Sequence, residues 1–291
     1  MSFIKEAYFM VWKNNNYPVN ETIGIIGAGH LGIALAETLV ERGFPKENLK
    51  ISYGGKHSTL ESLKKACLFG SITDNEELCQ KSAIIFIAIK PQSLTELKNL
   101  PFSGSSLVVS CMAGISLVSL KEALGIDVCR IMTSGPATIT EKKGIVAVYP
   151  QNNILSCILS FMDLKAHELQ NEELMHFFTV GVCLPAVILI AKKRGLNIEL
   201  EYAIESIEND YTGFKDIYIW AKNVLPDFDS EKGQTKYIDN MCTKGGITEE
   251  IVNSLNSGST VLDALRKGIA KSEEISTFSR LALSISKEKT G

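Results

Sequence analysis

The first 170 residues alternate short apolar runs with segments whose apolar positions recur at helical spacing. Residues 22–27, 49–53, 83–89, 106–111, 128–132 and 145–149 read as strands, and 31–42, 59–67 and 116–124 as helices. Gly43 closes the first helix. Ser58 is placed to cap the second, with Glu61 three residues on, and Asp74 to cap a short helix through Cys79. Strands this apolar, separated by helices, are the pattern of a parallel sheet covered on both faces.

Past residue 170 the period changes. Segments 172–194, 200–222, 230–242, 248–255 and 261–287 all read as helix, which puts a domain boundary near 167–172. The longest apolar stretch, 180–191, ends in Lys192, Lys193 and Arg194 and reads as a buried helix, too short for a membrane span. Residues 1–20 carry Lys5, Glu6 and Lys13 and lack the apolar core of a signal peptide. Phe3, Ile4, Ala7, Tyr8, Val11 and Trp12 form one face of a short helix, so this stretch reads as an N-terminal extension that packs on the body or on a partner.

Composition narrows the function classes. The 291 residues are 45% hydrophobic and 22% charged, an ordinary globular balance. Lys+Arg is 30 against 33 Asp+Glu, net −3, so no basic excess exists for nucleic acid or for an anionic membrane surface. The seven cysteines are odd in number and contain no C-x-x-C pair, and the four histidines lack ligand spacing. Reduced thiols in a cytoplasmic protein without a metal site are the expectation.

The chemistry begins at Gly27-Ala28-Gly29-His30-Leu31-Gly32, between the first strand and the first helix. Gly27 permits the turn, Gly29 lets backbone approach a pyrophosphate, and Gly32 allows close helix–sheet packing. The helix N-terminus adds free N–H groups, at His30 and Leu31 among others, and the positive end of its dipole. In this context the motif predicts dinucleotide binding. The second strand ends without the Asp or Glu that would bind a ribose 2′-hydroxyl; Lys56, His57 and Ser58 stand there and favour NADP, the other reading being a solvated polar loop. Later strand ends, at Ala88-Ile89-Lys90-Pro91, Met112-Ala113-Gly114 and Thr133-Ser134-Gly135-Pro136, extend the same crevice. The fold class is therefore α/β: a Rossmann-type NADP-binding domain over 21–170, then an all-helical domain over 171–291.

The succession GAGHLG, AIKPQ, S-x-x-AGIS and RIM-x-x-x-PA resembles the cofactor domain of the pyrroline-5-carboxylate reductase family. Thr243-Lys244-Gly245-Gly246-Ile247-Thr248 is similar to that family's Ser-Pro-Gly-Gly-Thr-Thr substrate loop, and the tail over 262–274 to its closing helix. The resemblance implies NAD(P)H-dependent reduction of the cyclic imine 1-pyrroline-5-carboxylate to L-proline. It also implies a helical domain that dimerises, giving a homodimer or higher homo-oligomer with a shared active site. A small anionic substrate would be gripped by backbone N–H groups of Gly245, Gly246 and Ile247, with Thr243 in the same loop and Thr248 near the ring nitrogen. Thr248 also reads as a helix cap or first-turn residue, and Lys244 as either an added anion ligand or a solvated residue.

Departures from the family pattern cluster. Thr133-Ser134-Gly135-Pro136 replaces Pro-Asn-Thr-Pro, and Gly181-Val182-Cys183-Leu184-Pro185-Ala186 replaces Ser-Gly-Ser-Gly-Pro-Ala. They favour two alternatives, a reductase of a related imine or keto acid, and a non-catalytic NADP-binding regulatory protein on this scaffold. The retained Thr243, Gly245, Gly246 and Thr248 favour the reductase.

Overall fold

The computed structural model describes residues 21–288, with side chains as far as residue 277. The expected extension over 1–20 lies outside the described residues. The chain divides into two compact units, one holding the residues up to Leu169 and those from Ser279 onward, the other Gln170–Phe278.

The first unit is built on seven strands: β1 (Thr22–Ile26), β2 (Leu49–Ser52), β3 (Ser82–Ile87), β4 (Leu107–Ser110), β5 (Val128–Thr133), β6 (Ile145–Tyr149) and β7 (Lys165–Glu168). They lie in the order β2-β1-β3-β4-β5-β6-β7. Between them run α1 (His30–Glu41), α2 (His57–Lys65), α3 (Asn75–Lys81), α4 (Leu117–Leu124), α5 (Pro136–Thr140) and α6 (Asn153–Phe161). Side chains alternate across the sheet. Ile23, Ile25, Ile84, Phe86 and Val109 pack on one face with Leu35 and Leu39 of α1. Ile26, Ile85, Ile87 and Val108 pack on the other with Leu78 and Leu94. Each such side chain, fully buried, contributes roughly 1.5–3 kcal/mol.

Two expectations are corrected in this unit. The sheet is not wholly parallel, because β6 runs antiparallel to β5. The short stretch between them, which includes α5, falls below the length that a parallel crossover needs. Ser58 is not a cap. The left-handed Gly55 (φ +76°) turns the chain early, α2 starts at His57 with Lys56 as its N-cap residue, and the Ser58 carbonyl accepts from the Ser62 hydroxyl. Asp74 does cap α3, accepting from the Glu77 N–H at 2.8 Å. The edge strand β7, Lys-Ala-His-Glu, gave no apolar signal.

The second unit holds α7 (Leu174–Gly181), α8 (Leu184–Arg194), α9 (Asn197–Asp210), α10 (Phe214–Val224), α11 (Glu231–Met241), α12 (Ile247–Asn256) and α13 (Val261–Glu288), which continues into the first unit's residues. Two helices expected to be continuous are each broken. The 172–194 stretch bends by 52° between α7 and α8. Pro185 in the first turn of α8 lacks the N–H that would continue the preceding helix. The 200–222 stretch breaks at Gly213 (φ +105°), where the Glu208 carboxylate accepts from the N–H groups of Gly213 and Lys215 and so starts α10. Small residues permit the helix crossings. A Cβ on Gly181 would lie 2.8 Å from Ile217, and one on Gly268 would lie 2.6 Å from Ile251. Among the described residues no single helix is long and apolar enough to cross a membrane. The bent α7–α8 pair is apolar because Phe178, Val180, Leu184 and Val187 are buried in this unit.

Candidate active site

The glycine turn after β1 has the shape a phosphate requires. Gly27 has φ +105°, and a Cβ there would press on the Ala88 carbonyl at 2.9 Å. A Cβ on Gly32 would sit 1.9 Å from the Gly27 carbonyl oxygen, so α1 reaches the turn only because residue 32 has no side chain. Gly29 is different: nothing lies within 4 Å of its would-be Cβ. It is the N-cap residue of α1, no side chain caps the helix there, and the first turn holds no acidic residue. His30 is exposed and Leu31 half-buried at the first two helical positions. The backbone donors of this turn thus face a bare cradle that suits an anionic phosphate.

The other sequence-predicted cofactor residues occupy strand ends of the same sheet. Lys56, His57 and Ser58 are all exposed at the start of α2, whose first turn is free of acidic residues. The Ala88 N–H donates to the Ile26 carbonyl at 2.8 Å, which keeps the β3 end beside the glycine turn. Lys90 is exposed and precedes Pro91, which begins a 3₁₀ turn. Ala113 is half-buried, and Gly114 has φ +72°. Ser134 is turned inward. It is 1% exposed, its N–H donates to the Ile145 carbonyl at 2.9 Å, and its Oγ accepts from the Ile145 N–H at 3.1 Å. That serine holds the end of β5 to the start of β6.

In the helical unit, residues 243–248 form a tight loop into α12. Gly245 has φ +72°, and Gly246, the N-cap residue, donates its N–H to the Thr243 carbonyl at 2.8 Å. A Cβ on Gly246 would lie 2.6 Å from the Thr243 hydroxyl. The Gly245 N–H donates to the Glu249 carboxylate at 2.6 Å. Two of the three N–H groups expected to grip a substrate carboxylate, those of Gly245 and Gly246, are therefore engaged within the loop; Ile247 is the third, at the first helical position. Lys244 and Thr243 are exposed.

Thr248 is 9% exposed in the first turn of α12. Its Oγ1 lies 3.2 Å from the Sγ of Cys183, itself 5% exposed. The same sulfur lies 3.2 Å from the Thr179 carbonyl. Burial pushes the Cys183 thiol up from its ordinary value near 9 to about 11. The partnership brings together the 181–186 segment and the Thr248 loop. Sequence reading singled out both segments but neither Cys183 nor Glu249. Glu249 was findable, as a carboxylate in the first helical turn reaching back over the loop. Cys183 gave no signal, because a cysteine in an apolar stretch reads as core.

The fold and the glycine turn define the class, a Rossmann-type oxidoreductase scaffold. Residues 22–114 match the family described as NADP oxidoreductase coenzyme F420-dependent. Pyrroline-5-carboxylate reductase of Methanosarcina acetivorans is 34% identical over 134 residues, 44% of this chain and 49% of that one, so the chain matches about half the length of this relative. Pyrroline-5-carboxylate reductase 2 of Macaca fascicularis is 24% identical across 88% of this chain and 84% of its own. The crystal structure of Plasmodium falciparum pyrroline carboxylate reductase with NADP bound shares the fold, with a TM-score of 0.52, 22% identity, and coverage of 88% of this chain and 98% of that one. Within that class the chain is similar to the pyrroline-5-carboxylate reductases.

Proposed function

We propose that this chain is an NADPH-dependent reductase of a cyclic imine, with 1-pyrroline-5-carboxylate to L-proline as the reference reaction of proline biosynthesis. The observation that carries the reading is the loop over 243–248. Its two glycines meet the close contacts and positive φ of the turn, and it delivers Thr248, buried, at the head of a helix. The bare glycine cradle at 27–32 supports a bound nicotinamide dinucleotide, and Lys56, His57 and Ser58 support the phosphorylated form. When bound, the reduced nicotinamide supplies the hydride.

The chain's own residues orient and hold. Gly29 and the first turn of α1 bind phosphate, the Ile247 N–H and Lys244 bind a substrate anion, and Thr248 contacts the ring nitrogen. An already protonated imine is electrophilic, so proximity and orientation carry most of the rate. Two copies pair through the C-terminal helices in the cytoplasm; Ile198 (88% exposed) and Tyr202 (67%), one turn apart on α9, support such a contact.

A second reading, reduction of a related imine or keto acid, is favoured by the engaged Gly245 N–H. The test is NADPH oxidation with 1-pyrroline-5-carboxylate, then with a panel of cyclic imines and keto acids. Turnover of an imine supports the reading. Silence across the panel with intact NADPH binding overturns it in favour of a non-catalytic NADP-binding regulatory protein.

A further inference from the structure

We propose that Cys183 is a positioning residue that makes the Thr248 hydroxyl a hydrogen-bond acceptor, fitting the site to the N–H of a protonated imine and against the C=O of a keto acid. This rests on the reductase reading above and names the substrate class within it.

The argument is proton counting. A thiol has one proton. The Cys183 sulfur lies 3.2 Å from two oxygens, the Thr179 carbonyl and the Thr248 hydroxyl. The carbonyl can only accept, so the thiol proton goes to it. The sulfur then offers lone pairs, and the Thr248 O–H donates to them. What Thr248 Oγ1 has left for a ligand is lone pairs alone. Both side chains are buried, at 5% and 9% exposure, so water has little access to rearrange the pair. The thiol, held well above neutrality by burial, stays protonated at physiological pH and keeps its proton on Thr179.

The consequence is a polarity at the reacting group. A protonated imine presents an N–H to the Thr248 lone pairs. A keto oxygen presents lone pairs to lone pairs, and leaving a buried polar group unmatched is the strong form of discrimination. In the reduction the imine carbon forms a C–H bond with the hydride supplied by the dinucleotide, which leaves oxidised. The C=N π pair moves onto nitrogen, which keeps the proton it already carries and becomes a neutral amine. Thr248 needs to give up no proton for this balance.

The test uses the full chain with NADPH, comparing 1-pyrroline-5-carboxylate with a five-carbon 2-keto acid. Wild type is expected to favour the imine by roughly 100-fold or more in kcat/KM. Cys183→Ala removes the acceptor for the Thr248 proton and lets the hydroxyl turn. Imine kcat then falls about 10-fold with KM nearly unchanged, and the imine-to-keto preference shrinks. Cys183→Ser keeps a hydroxyl that can both donate and accept and restores both quantities. A merely structural role would lower the melting temperature and move both substrates together, leaving the ratio unchanged. The proposal is overturned by that unchanged ratio in Cys183→Ala, or by a wild type that prefers the keto acid. Wild-type silence on every imine and keto acid overturns the reductase reading and this inference with it.

Discussion

The carboxylate of Glu249 accepts the backbone N–H of Gly245 at 2.6 Å, reaching back from the first turn of α12 over the loop that leads into it. A side-chain anion of this protein therefore lies where a substrate anion is expected. Glu249→Gln removes the charge while keeping an oxygen acceptor. The KM for a carboxylate-bearing imine is expected to fall about 3–10-fold, and helix α12 to lose roughly 0.3–1 kcal/mol of dipole support, read by urea unfolding. A KM that rises would mean that Glu249 helps to hold the substrate.

Two glycines of the turn after β1, Gly29 and Gly32, are expected to separate binding from folding. Gly32→Ala drives a Cβ into the Gly27 carbonyl, and neither backbone can yield without moving α1 off the sheet. A loss of about 2–3 kcal/mol of stability is expected, with NADPH binding lost alongside it. Gly29→Ala meets nothing in the protein, so the melting temperature should hold while NADPH affinity drops by about 10-fold, measured by fluorescence titration. Equal behaviour of the two variants would remove the cradle from the binding site.

Lys56 stands exposed before α2, with no acid in that helix's first turn. NADPH is expected to bind more tightly than NADH, and Lys56→Ala to narrow the gap by roughly 1–3 kcal/mol. Titration of both cofactors against both proteins checks it, and equal wild-type affinities would refute it.

Stability should fall at alkaline pH through buried thiols. Burial raises Cys183 to about 11 and Cys79 to about 12, and moves Cys129 the same way. Above pH 9 the unfolded chain releases these protons while the folded chain keeps them, so the unfolded state binds fewer and unfolding becomes easier as pH rises. The contribution is intact below pH 9 and declines by about 1.4 kcal/mol per pH unit for each thiol up to its folded value. Urea unfolding at pH 8, 9 and 10 reads it, and Cys79→Ala should flatten the slope.

How far the sequence carried depended on whether a feature was local. The strands from 22 to 149 and the glycine turn were legible because apolar runs and the Gly27–Gly32 spacing are local. The breaks at Pro185 and Gly213 were harder. Flanking helical periods ran straight through both, and the Glu208 carboxylate that starts α10 lies five residues upstream of its partner. The antiparallel β6 follows from a link too short for a crossover, a count that apolar pattern alone does not make. The Cys183–Thr248 pair joins positions 65 residues apart, and nothing local marks it.

The inward-turned Ser134 fastens two strands of the sheet together. Its hydroxyl and N–H both engage Ile145, and Thr138 sits 2.7 Å from the same oxygen. The position that aligns by resemblance with an asparagine is here a latch between two strands. Ser134→Asn would open this latch, because the longer side chain cannot keep the Oγ contact with the Ile145 N–H. Ser134 thus serves the sheet itself, tying β5 to β6 through groups that an exposed strand end would offer to a ligand.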